Sequence, residues 1–327
     1  SKVRMLDFTA NVPSAIGTDE ILLEVSENSS FVLLGDNLTD TEGTFVNLSN
    51  VAGASSTEIL LLGDFVLRGG DGNQSIVADQ GMQDLNLGNG NDIIYAGGGD
   101  DKITSLTGNN YLDGGDGNDE ILAGSGIDTL IGGAGDDILD GGEGFDTAEY
   151  VGSYYDFNIE KQLNSFLVED KLDLQGSDTL SSVERVEFDD GTLAFDVDGN
   201  AGQAYRLYQA AFERTPDSAG VRYHINDIES NGLILYQIAG NFLASPEFET
   251  TYGTNLSDSD FIDALYDNVL GRSAEDFEKE YYTERFNKPV TDSMWMDRAA
   301  ALIGFSESPE NMTLVGSQTE DGIFLVS

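Results

Sequence analysis

Residues 114–122 read GGDGNDEIL, residues 132–140 read GGAGDDILD and residues 96–104 read AGGGDDKIT. The first two fit G-G-x-G-x-D-x-(apolar)-x throughout, and the third lacks one glycine. They belong to a run of nine consecutive nine-residue units in one unbroken register over residues 69–149. Position eight is held by Ile76, Leu85, Ile94, Ile103, Leu112, Ile121, Leu130, Leu139 and Ala148, apolar in every unit. Positions one to six read as a turn, because glycines at one, two and four admit positive φ and close approach of neighbouring strands. Positions seven to nine read as a short strand whose middle residue points inward. Two units then make one coil with a turn on each side, and units two apart stack on the same edge. Nine units give four and a half coils, a stack of roughly 22 Å at ~4.8 Å per layer.

Position six reads Gln74, Gln83, Asp92, Asp101, Asn110, Asp119, Asp128, Asp137 and Asp146. Sorted by edge, one side holds Gln83, Asp101, Asp119 and Asp137, and the other holds Gln74, Asp92, Asn110, Asp128 and Asp146. Calcium takes six to eight oxygen ligands from carboxylates and backbone carbonyls. The aspartate of one turn and the glycine-turn carbonyls of stacked neighbours supply such a set. The expected metal residues are Asp92, Asp101, Asn110, Asp119, Asp128, Asp137 and Asp146. The turn glycines Gly97, Gly99, Gly115, Gly117, Gly124, Gly126, Gly133, Gly135, Gly142 and Gly144 complete the set. Several Ca2+ ions are the expected cofactor. The first two units keep the apolar ladder and lose the carboxylate, so they read as stacked coils without metal at full occupancy.

This nonapeptide resembles the calcium-binding repeat of RTX proteins. The resemblance implies a parallel β-roll and, with it, export by a type I system. After the roll, residues 145–150 (FDTAEY) and 177–196 (SDTLSSVERVEFDDGTLAFD) resemble the β cap that follows RTX repeats. Their alternating Val183, Val186, Phe188, Leu193 and Phe195 would cover the last apolar layer of the stack. From about Asp198 the pattern turns helical. LYQAAFERTPD (207–217) aligns with LYDNVLGRSAE (265–275), Tyr223 with Tyr281, and SPEF (245–248) with SPEN (308–311). Ser-Pro-Glu is a helix start: serine caps, proline suits the first turn and glutamate faces the positive dipole end. Each half therefore reads as three helices and a short fourth turn. Residues 201–324 resemble the RTX-associated helical domain of unknown function found in bacterial surface-layer and secreted proteins, and no chemistry comes with that resemblance.

The fold class expected is thus multidomain β plus α: a parallel β-roll with β caps, then an all-α carboxyl-terminal domain. Residues 1–59 alternate apolar and polar, as in EILLEV (20–25), FVLLG (31–35) and TFVNLS (44–49), and read as a small all-β domain or cap. Residues 60–149 form the roll, LLLGDFVLR (60–68) being a degenerate first coil. Residues 150–197 are its β cap, and residues 198–327 the helical domain with its two-fold repeat. The end, DGIFLVS (321–327), resembles the uncleaved carboxyl-terminal export signals of RTX proteins.

Sixty acidic against 15 basic residues give a formal charge of −45, which excludes a nucleic-acid binder and disfavours an anionic bilayer surface. Seventeen of those acids face the single Lys102 within residues 69–149, a net of −16. Self-repulsion on that scale opposes coiling until cations arrive. No cysteine is present, no membrane-spanning run of ~18 apolar residues occurs, and residues 1–8 lack the apolar core of a secretory signal peptide.

Catalytic signatures are missing. There is no H-E-x-x-H, no G-x-S-x-G and no phosphate loop. DVDGN (196–200) lacks EF-hand spacing and reads as a capped turn. His224, the single histidine, reads as a packing or surface residue, and Trp295 as core. A non-enzymatic, calcium-folded structural protein of the bacterial exterior is the expectation, self-associating into a surface layer, filament or matrix. An adhesin or carbohydrate-binding module, taking a cell-surface polysaccharide as partner, is the alternative.

Overall fold

The computed structural model describes residues 56–212 and 214–326, together with the strands Val3–Asp7, Ile21–Leu22, Ser29–Leu34 and Thr44–Asn47. The chain divides into two compact units, Ser1–Gly191 and Thr192–Ser327. The last residues of the expected cap, 192–197, therefore lie in the second unit.

The first unit is a parallel β-solenoid, with about five turns over residues 58–148. Its rungs alternate between two parallel sheets. Ile76, Ile94, Leu112, Leu130 and Ala148 are successive partners in one sheet. Leu85, Ile103, Ile121 and Leu139 are successive partners in the other. Each step is 18 residues, two nonapeptides, and all nine side chains are fully buried. The inward period-two residue of each short strand thus builds a continuous apolar column, which closes the core between the sheets.

Toward the amino terminus the described strands continue the same two sheets. Ser29–Leu34 pairs in parallel with Ser56–Leu62, with Phe31 opposite Ile59. Thr44–Asn47 pairs with Phe65–Arg68, with Val46 opposite Leu67. Val3–Asp7 and Ile21–Leu22 add one further strand to each sheet. The strands described within residues 1–59 therefore extend the two sheets of the solenoid rather than forming a sheet of their own. Rung intervals there are 28 residues (Phe31 to Ile59) and 21 (Val46 to Leu67), so no nine-residue period marks them. The remainder of the 1–59 segment lies outside the described residues.

At the other end, Leu139 is followed in its sheet by Leu180, and Ala148 by Val186. The intervening chain folds into the antiparallel pair Phe157–Lys161 and Phe166–Asp170, which joins Ser177–Ser181 at the edge of one sheet. Tyr150, Phe157 and Phe188 pack ring on ring, 5.1–5.9 Å between centroids. Val183, Val186, Phe188, Leu193 and Phe195 are all buried, as their alternation predicts.

In the second unit, eight helices are present among the described residues: α1 Asn200–Phe212, α2 Ser218–Glu229, α3 Leu235–Leu243, α4 Pro246–Tyr252, α5 Asp258–Leu270, α6 Asp276–Phe286, α7 Arg298–Ser306 and α8 Pro309–Thr319. Ser245 Oγ accepts from the Phe248 amide and Ser308 Oγ from the Asn311 amide, each at 3.1 Å, so both Ser-Pro-Glu sequences cap helices. The two halves repeat down to their ion pairs. Arg214 lies over the Tyr208 ring and pairs with Glu247 at 2.9 Å. Arg272 lies over Tyr266 and pairs with Glu310 at 3.0 Å. One core serves both halves, with Leu207, Ile238, Phe242, Phe261, Ile262 and Leu302 at its centre.

Asp196 Oδ2 accepts from the Ala201 amide (3.1 Å), so DVDGN is a turn closed by its own aspartate at the entry to α1. His224 packs at 4.5 Å from Phe242, ring centroid to ring centroid, and bonds Asp227 at 3.2 Å. Trp295, expected in the core, is only half-buried. It sits in the turn before α7, where no helix face carries it inward. Of the terminal segment, Ile323–Val326 is a strand with Ile323 and Leu325 buried.

Candidate metal centres

Both edges of the roll carry a column of position-six side chains turned inward at the start of each strand. The backbone amide at this position donates to the side chain one coil along. Asp101 N–H donates to Asp119 Oδ1 and Asp119 N–H to Asp137 Oδ1, each at 2.7 Å. On the other edge Asp92 N–H donates to Asn110 Oδ1 (2.9 Å), Asn110 N–H to Asp128 Oδ1 (2.7 Å) and Asp128 N–H to Asp146 Oδ1 (2.8 Å). The expected edge assignment is the one the fold adopts.

Each aspartate spends one oxygen on this bond. The second, Oδ2 of Asp92, Asp101, Asp119, Asp128, Asp137 and Asp146, is buried without a hydrogen-bond partner. A buried carboxylate oxygen left without a partner is costly unless a cation meets it. Loss of hydration accordingly pushes these carboxyls up: Asp92 and Asp119 to about 6, Asp137 and Asp146 to about 7, and Asp101 to about 8. Asp128 rises for the same reason. Neighbouring acids in the column add to the effect, Asp119 on Asp101 and Asp178 on Asp137. Two like charges one layer apart, ~4.8 Å, repel by about 3.5 kcal/mol at an effective dielectric constant of ~20.

The turns supply the other half of a site. All ten of the expected turn glycines have positive φ, between +90° and +154°. Gly117 illustrates why no side chain is admitted: a Cβ there would lie 1.9 Å from the Gly99 carbonyl oxygen of the preceding coil. Position-one glycines open the space beside the carboxylate. A Cβ on Gly114 would stand 2.2 Å from Asp119 Oδ2, and one on Gly132 would stand 2.2 Å from Asp137 Oδ2. Among the described residues no three acidic or histidine side chains converge on one point. The donor set is instead one carboxylate per coil with turn carbonyls stacked around it, hard oxygens of the kind calcium prefers. The residues present fit that ion.

Two column members fall outside the nine-residue register. Asp137 N–H donates to Asp178 Oδ1 (2.9 Å) and Asp146 N–H to Glu184 Oε2 (2.8 Å). Asp178 and Glu184 thus end the two columns. Asp178 differs from the rest: its Oδ2 accepts from the Tyr150 hydroxyl at 2.7 Å, so a phenol closes that edge. An outer row at position five was also unforeseen. Asp100 Oδ1 accepts from the Asn118 amide (2.9 Å) and Asn118 Oδ1 from the Asp136 amide (2.8 Å), fastening coils in the opposite chain direction. The run of Asp and Asn at position five was the signal for it.

The RTX calcium-binding nonapeptide-repeat family matches residues 77–112, 87–121 and 113–148. The roll is an RTX repeat array. A domain of unknown function, DUF4214, matches residues 239–315, from within α3 into α8, so α1 and α2 of the resembling region precede it. No curated protein gives a significant match to the chain. RTX nonapeptide repeats are calcium-binding repeats. No helix among the described residues is long and apolar enough to cross a membrane.

Proposed function

We propose that this RTX protein is a secreted, calcium-dependent structural protein of the bacterial cell exterior, a surface-layer, filament or matrix subunit. The observation that carries the reading is the double column of buried, unpartnered aspartate oxygens. Such a column disfavours the coiled state where calcium is scarce and stabilises it at the millimolar concentrations typical of extracellular calcium modules. Export before folding and folding on arrival follow naturally from that dependence. The roll then serves as a stiff spacer, and the DUF4214 region as the assembly or anchoring module.

A second reading, an adhesin that takes a polysaccharide, draws on one feature of the roll's outer face. Tyr95 and Tyr111 stand side by side there, 5.5 Å between centroids, with Ile93 and Tyr95 about half exposed. Aromatic faces presented to solvent suit stacking on sugar rings. Electron microscopy of the purified chain before and after millimolar calcium separates the two. Ordered sheets or filaments support the structural reading. Dispersed monomers that retain glycans on an array sink it in favour of the adhesin.

A further inference from the structure

The position-six column changes its chemistry along the roll. On one edge it runs Phe65, Gln83, Asp101, Asp119, Asp137, with Phe65 directly opposite Gln83. Phe65 is buried and, with Leu61, Leu67 and Leu87, gives the amino-terminal coils an apolar core wider than the single rungs further on. Between this apolar beginning and the aspartates stand the amides.

Wherever position six is an amide, its side-chain nitrogen donates to turn carbonyls. Gln74 Nε2 bonds the carbonyls of Gly70 (3.2 Å) and Gly72. Gln83 Nε2 bonds the carbonyl of Gly63 at 3.1 Å. Asn110 Nδ2 bonds those of Gly108 (3.4 Å) and Ala123 (3.3 Å). These oxygens come from positions one, two and four of the turns. The N–H groups place positive partial charge among them, as a cation would, without adding a negative charge to the column. Asn110 is complete in this respect: Oδ1 accepts, Nδ2 donates and neither atom is left over. The glutamines keep one unpartnered oxygen each, but it is a neutral amide oxygen.

We infer that the amides of Gln74 and Gln83 take the place of calcium, so that residues 58–86 stay folded without metal and form the template on which the aspartate coils close when calcium binds. This rests on the calcium-folding reading only for the second part of the roll.

Hydrogen–deuterium exchange on the full chain in neutral buffer, with calcium or with a chelator, tests it. Residues 58–86 are expected to be protected under both conditions, whereas residues 96–149 exchange faster by about tenfold or more in chelator. Loss of protection across 58–86 together with 96–149 overturns the inference and leaves calcium-driven folding standing. Protection of 96–149 in chelator contradicts calcium-driven folding instead, and the replacement is then decided by a variant. Gln83→Glu keeps the shape, removes the donor and adds a carboxylate. Its residues 60–86 should lose protection in chelator and regain it in calcium, whereas Gln83→Leu, extending the apolar beginning of the column, should be indifferent to calcium there. A Gln83→Glu chain whose 60–86 segment stays protected in chelator, or stays unprotected in calcium, overturns the replacement.

Discussion

The Asp119 amide donates to Oδ1 of Asp137 at 2.7 Å, while Oδ2 of Asp137 is buried with no hydrogen-bond partner. One oxygen ties a coil to the next and the other remains for a cation. The same division of labour recurs at the aspartates of both edges, so in the proposed reading one side chain carries both coil stacking and calcium binding. Folding and ion uptake are therefore coupled, each position adding to both.

Replacing Asp119 or Asp137 by Ala removes the tie and the ligand together. Each variant should raise the calcium concentration at the folding midpoint by about tenfold or more, about 1.4 kcal/mol of lost binding. Gln74→Ala and Gln83→Ala carry no charge to lose and should move that midpoint far less. Circular dichroism over a calcium titration gives all four midpoints, and equal shifts would refute the assignment of charge to the carboxyl-terminal coils.

The raised carboxyls set a pH dependence. In the calcium-free fold Asp92, Asp119, Asp137, Asp146 and Asp101 titrate at about 6 to about 8, against ~3.9 when unfolded. Groups raised in this way favour the fold fully below pH ~4 and lose that contribution as pH rises through about 6 to 8. Acidifying calcium-free protein from pH ~8 to ~5 should thus increase strand signal, whereas calcium, competing with protons, should bind more weakly at the lower pH. A fall in strand signal over that acidification would contradict the burial of these carboxyls.

The apolar ladder predicts a different response. Leu112, fully buried between Ile94 and Leu130, should cost about 2–5 kcal/mol on replacement by Ala. Ile138, 52% exposed on the outer face, should cost within about 0.5 kcal/mol. Chemical denaturation in saturating calcium measures both.

Gly117→Ala tests the turn. With φ at +138° and a carbonyl oxygen 1.9 Å from the new Cβ, the substitution should destabilise the roll by more than about 1 kcal/mol. Its calcium midpoint should rise even though no ligand side chain changes. A midpoint equal to that of the unaltered chain would show that the coils pack less closely than described.

In the helical unit, Arg272 bridges Glu278 and Glu310 while stacking on Tyr266. Arg272→Ala should lower the melting temperature of that unit, followed by its helical signal, and leave the calcium midpoint of the roll untouched. A shifted midpoint would mean that the two transitions are linked.

Much of this was legible in the residues because the repeat imposes a period. Nine apolar residues at position eight predicted nine buried rungs, and the parity of the units predicted which aspartates share an edge. The Ser-Pro-Glu pairs predicted two capped helices, and the repeated LY segments predicted three helices and a short fourth turn per half, where the structure has a fourth helix in each, α8 running over 11 residues. Apart from the Asp and Asn row at position five, the features that the residues did not reveal lacked a local signal. The strands that hold Phe31 and Val46 pair into the two sheets across 28- and 21-residue intervals, and Asp178 and Glu184 follow an inserted hairpin, so period-based reading passes over them. The amide bonds of Gln74 and Gln83 depend on where turn carbonyls point, which only the stacked coils define. Trp295 was assigned to the core on residue type alone, and a large aromatic in a turn has no helix face to carry it inward.

The most direct test of calcium-driven folding is far-ultraviolet circular dichroism of the full chain titrated with calcium from chelator to millimolar concentration. Strand signal should rise cooperatively from a partial baseline, the helical signal staying constant throughout. Strand signal that is already complete in chelator and unchanged by calcium would contradict it.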